Sequence, residues 1–313
     1  MDYEAGDLLI EVETNSYYVQ NKKRFVAYAS MLSDDKQKSF DFAYGMSYGK
    51  EGEHRDHRTG GNHHRTKGQI FINTFQGKMA EFAIYRYLQS RNIELNCPDT
   101  QRFELGKWDS FDLDCQGKHI SVKSTKSYGD LLLLETKDWT DNGEYVPNQG
   151  HGISKYDYTM LVRFSPDGEA IMKDNRLLYQ KDNEIPGNIK NILIEKVCNV
   201  DWRYDFPGFI YYTELVRMIR EKKIVPQGAN LNGKMPMDAE NYYFQTGNMH
   251  SMIETYTINT DTEELHSKDI LKRRCPECGE ELVIRHGPYS DFWGCKGFFK
   301  SGCRHQEPIE QRT

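Results

Sequence analysis

The sequence predicts a mixed α/β (α+β) protein: a mixed central sheet flanked by helices, followed by a small cysteine-bearing unit. Three observations predict it. Between Gln69 and Ser90, apolar residues recur at three- and four-residue steps through Phe71, Phe75, Met79, Phe82, Tyr85 and Leu88. That is the repeat of one helix face. Short β-branched and aromatic runs follow between residues 111 and 164, the composition of strands. Four of the seven cysteines, Cys275, Cys278, Cys295 and Cys303, cluster near the C-terminus.

Composition narrows the class. A chain of 313 residues is long enough for about two domains. With 12% aromatic residues it is too rich in core-forming side chains for a disordered chain. No apolar stretch approaches the ~18 residues of a spanning helix; Leu131–Leu134 is a typical short run. Met1-Asp2-Tyr3-Glu4 lacks the basic-then-apolar pattern of a signal peptide. A net charge of -6 argues against a uniformly basic nucleic-acid binder, but not against a local basic groove. An odd cysteine count without a secretion signal argues against a disulfide framework. A cytoplasmic protein with no membrane partner is expected.

Along the chain, a helix is expected around Asn21–Leu32. The aromatic-rich stretch Phe40, Phe42, Tyr44, Tyr48 has no clear assignment. Residues 51–68 are polar and rich in Gly, His and Arg, hence a loop. The helix over 69–90 follows. Phe111–Cys115 and His119–Thr125 flank Gln116-Gly117-Lys118, which reads as a hairpin. Asp130–Glu135 and Tyr156–Phe164 are further strands. The segment between them carries Gly143, Pro147, Gly150 and Gly152 and reads as a long loop. Leu177–Tyr179 and Ile192–Val197 are candidates to extend the sheet, and Thr213 to cap a helix reaching about Lys222. Residues 226–268 are loop-rich. Three regions result: an N-terminal helical and loop region over 1–67, a central domain over 68–268 and a terminal module over 269–313.

The terminal module pairs Cys275-Pro-Glu-Cys278-Gly with Cys295 and Cys303. The first pair has knuckle spacing, with Pro276 and Gly279 favouring the turn. Four thiolates satisfy tetrahedral Zn²⁺ and leave no open position, so its role is structural. A module this small needs the metal to fold. His305 is an alternative to Cys303. Cys275-Pro-Glu-Cys278-Gly279, Leu282, Arg285, Gly287, Phe292, Gly294-Cys295 and Cys303 resemble the C-terminal zinc ribbon of bacterial topoisomerase I. The final spacing is longer than is usual there. The resemblance implies contact with DNA, largely single-stranded. Arg273, Arg274, Arg285, Lys296, Lys300 and Arg304 can meet phosphates, and Phe292, Trp293, Phe298 and Phe299 can stack on bases or form the ribbon's own core.

The centre of the chain carries the catalytic candidate. Asp112 and Asp114 share one strand face, and Ser121 and Lys123 share another. A hairpin between these strands brings carboxylate and ammonium to one place. Glu81 adds a carboxylate on the helix that packs on this sheet. Carboxylates holding Mg²⁺ (or Mn²⁺), with a lysine serving the water or the phosphate, suit phosphodiester hydrolysis. The arrangement resembles the PD-(D/E)XK nuclease superfamily over about residues 68–165, with Glu81, Asp112 and Lys123 at the motif positions. It implies a restriction-endonuclease-like fold and a Mg²⁺-dependent DNA endonuclease, in restriction, phage defence or phage DNA processing. The middle acid falls on Ser121. Some restriction enzymes of this superfamily carry Ser-X-Lys there and take a glutamate from further downstream, which here would be Glu135. Two rivals stay open: Glu81 and Asp112 suffice, or the site has decayed and only binds. Each residue also has a bland reading, as a solvent-facing strand acid, an edge-strand lysine or an exposed helix glutamate.

His54, His57, His63 and His64 would suit an HNH-type nuclease, but no supporting ββα pattern accompanies them. With Arg55, Arg58, Arg65 and Lys67, the loop reads as a phosphate-contacting arm or as a plain surface loop. The segments Asp205–Gly208, Pro226–Ala229, Met237–Ala239 and Asn241–Tyr243 resemble pieces that follow such nuclease cores. Their expected role is to complete the sheet or shape a DNA cleft. The other reading of the whole chain is a non-catalytic DNA-binding accessory protein, and a third is a repair or recombination nuclease acting on single-stranded or branched DNA. DNA is the expected partner in every case, and double-strand cutting would call for a homodimer.

Overall fold

The computed structural model describes residues 7–49, 65–100, 112–149, 153–252, 275–278, 280, 282–286, 291–297 and 302–308. The chain divides into two compact units, Met1–Asn259 and Thr260–Thr313. In chain order the first unit contains β1 (Leu9–Glu11), β2 (Ser16–Tyr18), β3 (Ala29–Ser30), α1 (Ser33–Ser47), α2 (Lys67–Gln89), β4 (Leu113–Cys115), β5 (Lys118–Lys126) and β6 (Leu131–Glu135). It continues with β7 (Tyr158–Ser165), α3 (Gly168–Asp174), α4 (Ile189–Leu193), β8 (Arg203–Tyr211), α5 (Tyr212–Arg220), β9 (Ile224–Val225), β10 (Asn230–Leu231), β11 (Met235–Pro236) and β12 (Asn241–Gln245). The second unit contains β13 (Leu282–His286), β14 (Asp291–Cys295) and β15 (Gln306–Pro308).

The central sheet runs β3-β8-β7-β5-β4 and is mixed. β5 and β7 are parallel, and the other pairs are antiparallel. Strand alternation gives it two apolar faces. Ile120, Val122, Met160, Val162 and Phe164 pack against α1 and α2, where Phe40, Phe71, Phe75, Met79 and Phe82 are fully buried. Leu161 and Ile210 face the other way, onto Leu132, Leu134, Tyr242 and α5 residues Leu215, Met218 and Ile219. The second sheet, β6-β12-β9, therefore lies over the central one. Its outer face, with Leu131, Val225 and Tyr243, is covered in turn by a third, β1-β2-β10-β11. This explains Leu131–Leu134: a strand buried on both faces reads as a continuous apolar run.

Several expectations change. The central sheet has α1 and α2 on one face, while its other face is covered mainly by a second sheet. Residues 21–32 are irregular apart from β3, not helical, and the helix lies at Ser33–Ser47. Its Phe40 and Ala43 join Phe71 in the core, and residues 7–49 lie in the same compact unit as the central region. Ile192–Val197 is helical. Ile189, Leu193 and Val197 are buried while Asn191 and Glu195 between them are exposed, a four-residue repeat that a strand face of period two would not give. Leu177 and Leu178 turn back from α3 into the core. Asn241–Tyr243 builds the second sheet and not the central one.

Local signals set the ends of the key elements. Thr66 and Gln69 form a reciprocal cap at the start of α2: the Gln69 N–H donates to Thr66 Oγ1 at 3.3 Å and the Thr66 N–H to Gln69 Oε1 at 3.0 Å. At Gly68, a Cβ would stand 2.0 Å from the Leu177 carbonyl oxygen, so only glycine lets α2 dock there. The β4–β5 turn places Gln116 and Gly117 both at positive φ, as a type I′ hairpin requires. No described helix is long and apolar enough to cross a membrane.

Candidate functional sites

The β4–β5 hairpin forms where the sequence places it and sets Asp112 beside Ser121. Asp112 lies just before β4. Its Oδ2 accepts the Val122 N–H at 2.6 Å and the Ser121 hydroxyl at 3.4 Å. Ser121 is fully buried and Lys123 half-buried. Because Ile120 and Val122 enter the helix-covered core, Ser121 and Lys123 fall on the opposite face, with the Lys123 ammonium 5.8 Å from the centre of the Tyr145 ring. Asp114 takes a different role. Its Oδ1 accepts the Gly117 N–H in the turn, and its Oδ2 lies 3.3 Å from His119 Nε2.

The other two carboxylates are held elsewhere. Glu81 Oε2 lies 2.6 Å from Lys78 Nζ, which also donates to the Asp99 carbonyl. Glu135 has the strand parity of Leu131 and Leu133, the face of β6 turned away from the central sheet. Its Oε2 lies 3.2 Å from Lys137 Nζ. Among the described residues, the cysteine quartet is the one set of three or more His, Cys, Asp or Glu ligands whose donor atoms all lie within 4.8 Å of one another. Glu81, Asp112 and Glu135 do not form such a set. The expected three-carboxylate cage is therefore not assembled, because α2 approaches one face of the central sheet and β6 turns Glu135 outward from the other.

The second unit does assemble. β13, β14 and β15 form an antiparallel sheet in that order. Cys275 Sγ lies 3.7 Å from Cys303 Sγ, and Cys278 Sγ lies 3.3 Å from Cys295 Sγ. A disulfide would need ~2.05 Å, and all four thiols are free. A tetrahedron of sulfurs at ~2.3 Å from one ion has edges of ~3.8 Å, close to these distances. The Gly297 N–H donates to Cys295 Sγ at 3.2 Å, as metal-bound thiolates commonly require. Crowding splits the acidity of the thiols. For Cys275 the upward push of burial is outweighed by N–H groups of Cys278 and Glu277 and by neighbouring thiols, which bring it to about 7. Burial and the Cys278 thiol raise Cys295. These four cysteines can hold a metal ion. His305 stands outside the quartet and contacts Glu307 and Glu277 instead.

The expected DNA contacts divide. Lys296 and Arg304 are exposed. Arg285 is half-buried: it lies across Gly294 and donates to the Cys295 carbonyl at 3.2 Å, so it braces the cysteine sheet. Trp293 packs on the cysteine cluster as core. Lys67 pairs with Asp182 at 3.5 Å, and Arg65 is half-buried. Arg55, Arg58, Lys300, Arg273, Arg274, Phe298, Phe299 and the histidines at 54, 57, 63 and 64 lie outside the described residues.

Two features escape sequence reading. Arg163, on β7, is fully buried and forms a bidentate pair with Asp205 on β8, at 2.9 and 2.6 Å. Burial raises the Asp205 carboxyl against the pull of that guanidinium. The second feature is a cleft beside this pair, lined by Lys22, Arg24, Phe25, Tyr128 and Asp130. An arginine inside an apolar strand was the available signal for the first; the second joins segments a hundred residues apart. No family model, no curated protein and no solved structure matches this chain.

Proposed function

We propose that this chain is a metal-dependent DNA endonuclease whose centre is the β4–β5 hairpin, with Asp112 and Lys123 as its core. The observation that supports this reading is the position of the Asp112 carboxylate, seated on β5 at the Val122 N–H with Lys123 one residue further along. Mg²⁺ is commonly held by one or two carboxylates, the rest of its shell being waters and substrate phosphate oxygens. Asp112 would supply one such carboxylate, and a second, Glu81 or Glu135, would have to leave the lysine it contacts in this structure to join it. When bound, the ion would polarise the phosphate and lower the pKa of a coordinated water. Asp112 orients the site from the hairpin, Ser121 donates its hydroxyl to that carboxylate, and the Lys123 ammonium offsets charge developing on the phosphate. The four cysteines would hold a structural Zn²⁺, and the exposed Lys296 and Arg304 would meet the DNA backbone. Two such centres, hence a homodimer, would cut both strands.

A second reading has its own support. Glu81 and Glu135 each sit against a lysine of their own segment, an arrangement that suits a DNA-binding accessory protein without catalysis. Nicking of supercoiled plasmid in Mg²⁺ and in Mn²⁺ separates the two. The nuclease reading expects nicking by the wild type and a loss of ~10²-fold or more in Lys123→Ala, with DNA binding retained. Undiminished nicking by Lys123→Ala would remove the site assignment. No nicking by the wild type with either ion, on single-stranded, duplex or modified DNA, would leave the accessory protein.

A further inference from the structure

We infer that the cleft at the carboxyl end of β5 binds single-stranded DNA, with phosphates on Lys22 and Arg24 and an unpaired base stacked on Tyr128. The binding claim stands on the cleft itself; that the strand continues to a cleavage centre rests on the nuclease reading above.

The cleft has a volume of ≈ 380 Å³. Four of its eight lining residues are cationic and one is acidic; with Arg163 neutralised by Asp205, Lys22, Lys23 and Arg24 still outnumber Asp130, a local excess the chain's net charge of -6 conceals. Its basic wall is the segment Lys22-Lys23-Arg24-Phe25, which has no regular secondary structure yet is tied down at many points. Gln245 Oε1 accepts the N–H groups of Gln20 and Asn21 at 2.7 and 2.8 Å. Thr246 Oγ1 accepts the Lys23 N–H at 3.1 Å. The Lys23 carbonyl accepts Arg163 Nη1 at 2.8 Å, and Asp205 Oδ2 accepts the Val26 N–H at 3.1 Å. So the buried Arg163–Asp205 pair has a positional role: it fixes this segment from beneath.

The pinning sorts the side chains. Lys23 turns inward, its ammonium donating to the carbonyls of Pro207 and Met249. Lys22 and Arg24 alternate outward and are exposed. Lys22 reaches only to 4.0 Å from Asp130, and Arg24 has no ion-pair partner among the described residues. Both cations are thus available at little cost in rearrangement. Phe25 lies under the Arg163 guanidinium, 5.6 Å from its ring centre.

The opposite wall supplies the aromatic face. Tyr128 is 57% exposed, unusual for so large a ring, yet its hydroxyl is anchored on Asp167 Oδ2 at 2.6 Å. The Lys126 ammonium stands over one side of the ring, 5.9 Å from its centre, and a ring fixed at its polar end with more than half its surface in solvent is a stacking platform. Only an unpaired base has a π-face to offer, so the pairing of a cationic rail with an open ring favours single strands over duplex. Placement fits a strand passing the hairpin centre. Arg163 pairs with Thr125 across β5–β7 and shares the sheet face of Lys123. Thr125 lies two positions beyond Lys123 on β5, ~7 Å along the strand.

The test is fluorescence anisotropy of the full-length, metal-loaded protein with a labelled single-stranded oligodeoxynucleotide in Ca²⁺, which avoids both cleavage and chelation. Lys22→Glu/Arg24→Glu should weaken binding tenfold or more. The milder Lys22→Gln/Arg24→Gln should lower the slope of log affinity against log salt by ~1.4, at ~0.7 per phosphate contact on a single strand. Tyr128→Ala should weaken binding without changing that slope, and Tyr128→Phe, which keeps the ring but loses its anchor on Asp167, should weaken it less. Thermal melts verify folding, and all the substituted groups are exposed or partly so. Asp112→Asn, which leaves the cleft intact, should bind normally whether or not the wild type cleaves. Affinity and slope unchanged in both Lys22/Arg24 variants would overturn the inference, as would a wild type that does not bind. Equal loss on a duplex competitor would overturn the single-strand assignment.

Discussion

The two units of this chain are held by different forces. In the first, the core cluster between the helices and the central sheet includes Phe40, Phe71, Phe75, Phe82, Phe164 and Trp202, all removed from water. In the second, the buried cluster among the described residues is Cys275, Leu282 and Cys295, with Trp293 and Cys303 against it. Three short strands cannot offset the chain entropy of their loops with so few apolar contacts. The difference shows what each sequence had to specify: periodic aromatics over long spans for one, four sulfurs at fixed spacing for the other.

The largest effect should come from stripping a metal held by the four cysteines, which can hold one. Apparent binding free energies for structural zinc in small domains are about 10–16 kcal/mol, and that energy is also their folding energy. A strong chelator should open the cysteine unit, making its four thiols titratable and Arg285 and Trp293 mobile by NMR. The cooperative melting transition of the first unit should not shift. Thiols that react equally fast before and after chelation would show that no metal held them.

The converse experiment is Phe75→Ala. Phe75 is wholly buried, stacked on Phe71 at 5.8 Å and edge-on to Trp202 at 5.8 Å. Its truncation should cost ~3–5 kcal/mol in chemical denaturation of the first unit and leave the metal content of the protein at one ion per chain. A loss below ~1 kcal/mol would mean that the site collapses around the gap.

This contrast also governs how much the sequence disclosed. The cysteine quartet was legible because metal geometry constrains spacing directly, and the spacing returns as sulfurs 3.3 and 3.7 Å apart. The hairpin was legible because strand period and turn chemistry are local: Asp112, Ser121 and Lys123 were ordered by counting twos. The partners of that hairpin were not legible. Nothing in Leu131–Glu135 tells which of its two apolar faces meets the central sheet, and a one-residue change of parity reverses where Glu135 points. Nor does the α2 period show that Lys78, one turn from Glu81, would take that carboxylate. α1 was missed for a related reason. Its aromatics Phe40, Tyr44 and Tyr48 follow a four-residue step, while Phe42 sits off that face at the Lys78 ammonium. The cleft depends on residues 22–25 meeting residues 127–130 and 163, a tertiary fact without a local pattern.

The smallest predicted effect concerns how the first unit holds its own polar anchors. Asp167 caps α3, its Oδ1 accepting the N–H groups of Glu169 and Ala170 at 2.9 and 3.3 Å. Its Oδ2 accepts the Tyr128 hydroxyl at 2.6 Å and lies 3.2 Å from Lys126 Nζ. Burial alone would raise this carboxyl. The Tyr128 hydroxyl, the Lys126 ammonium and the Ala170 N–H outweigh it, so the group sits below its ordinary value. A carboxyl depressed in the folded state adds stability above its unfolded pKa of ~3.9 and loses that contribution as pH falls through the lower, folded value. Asp167→Asn keeps the capping geometry, since Asn and Asp cap about equally well, and removes only the charge. It should cost from a few tenths to ~1 kcal/mol near neutrality, the usual worth of a charge at a helix N-terminus. The gap between wild type and variant should close as pH is lowered below 4, because the wild type then loses the same charge. Denaturation midpoints measured from pH 6 to pH 3 would show this as converging curves. A gap that stays constant would mean that Asp167 acts through hydrogen-bond geometry alone. The platform at Tyr128 would then owe its orientation to a neutral contact, and single-strand binding should persist in Asp167→Asn at every pH in that range.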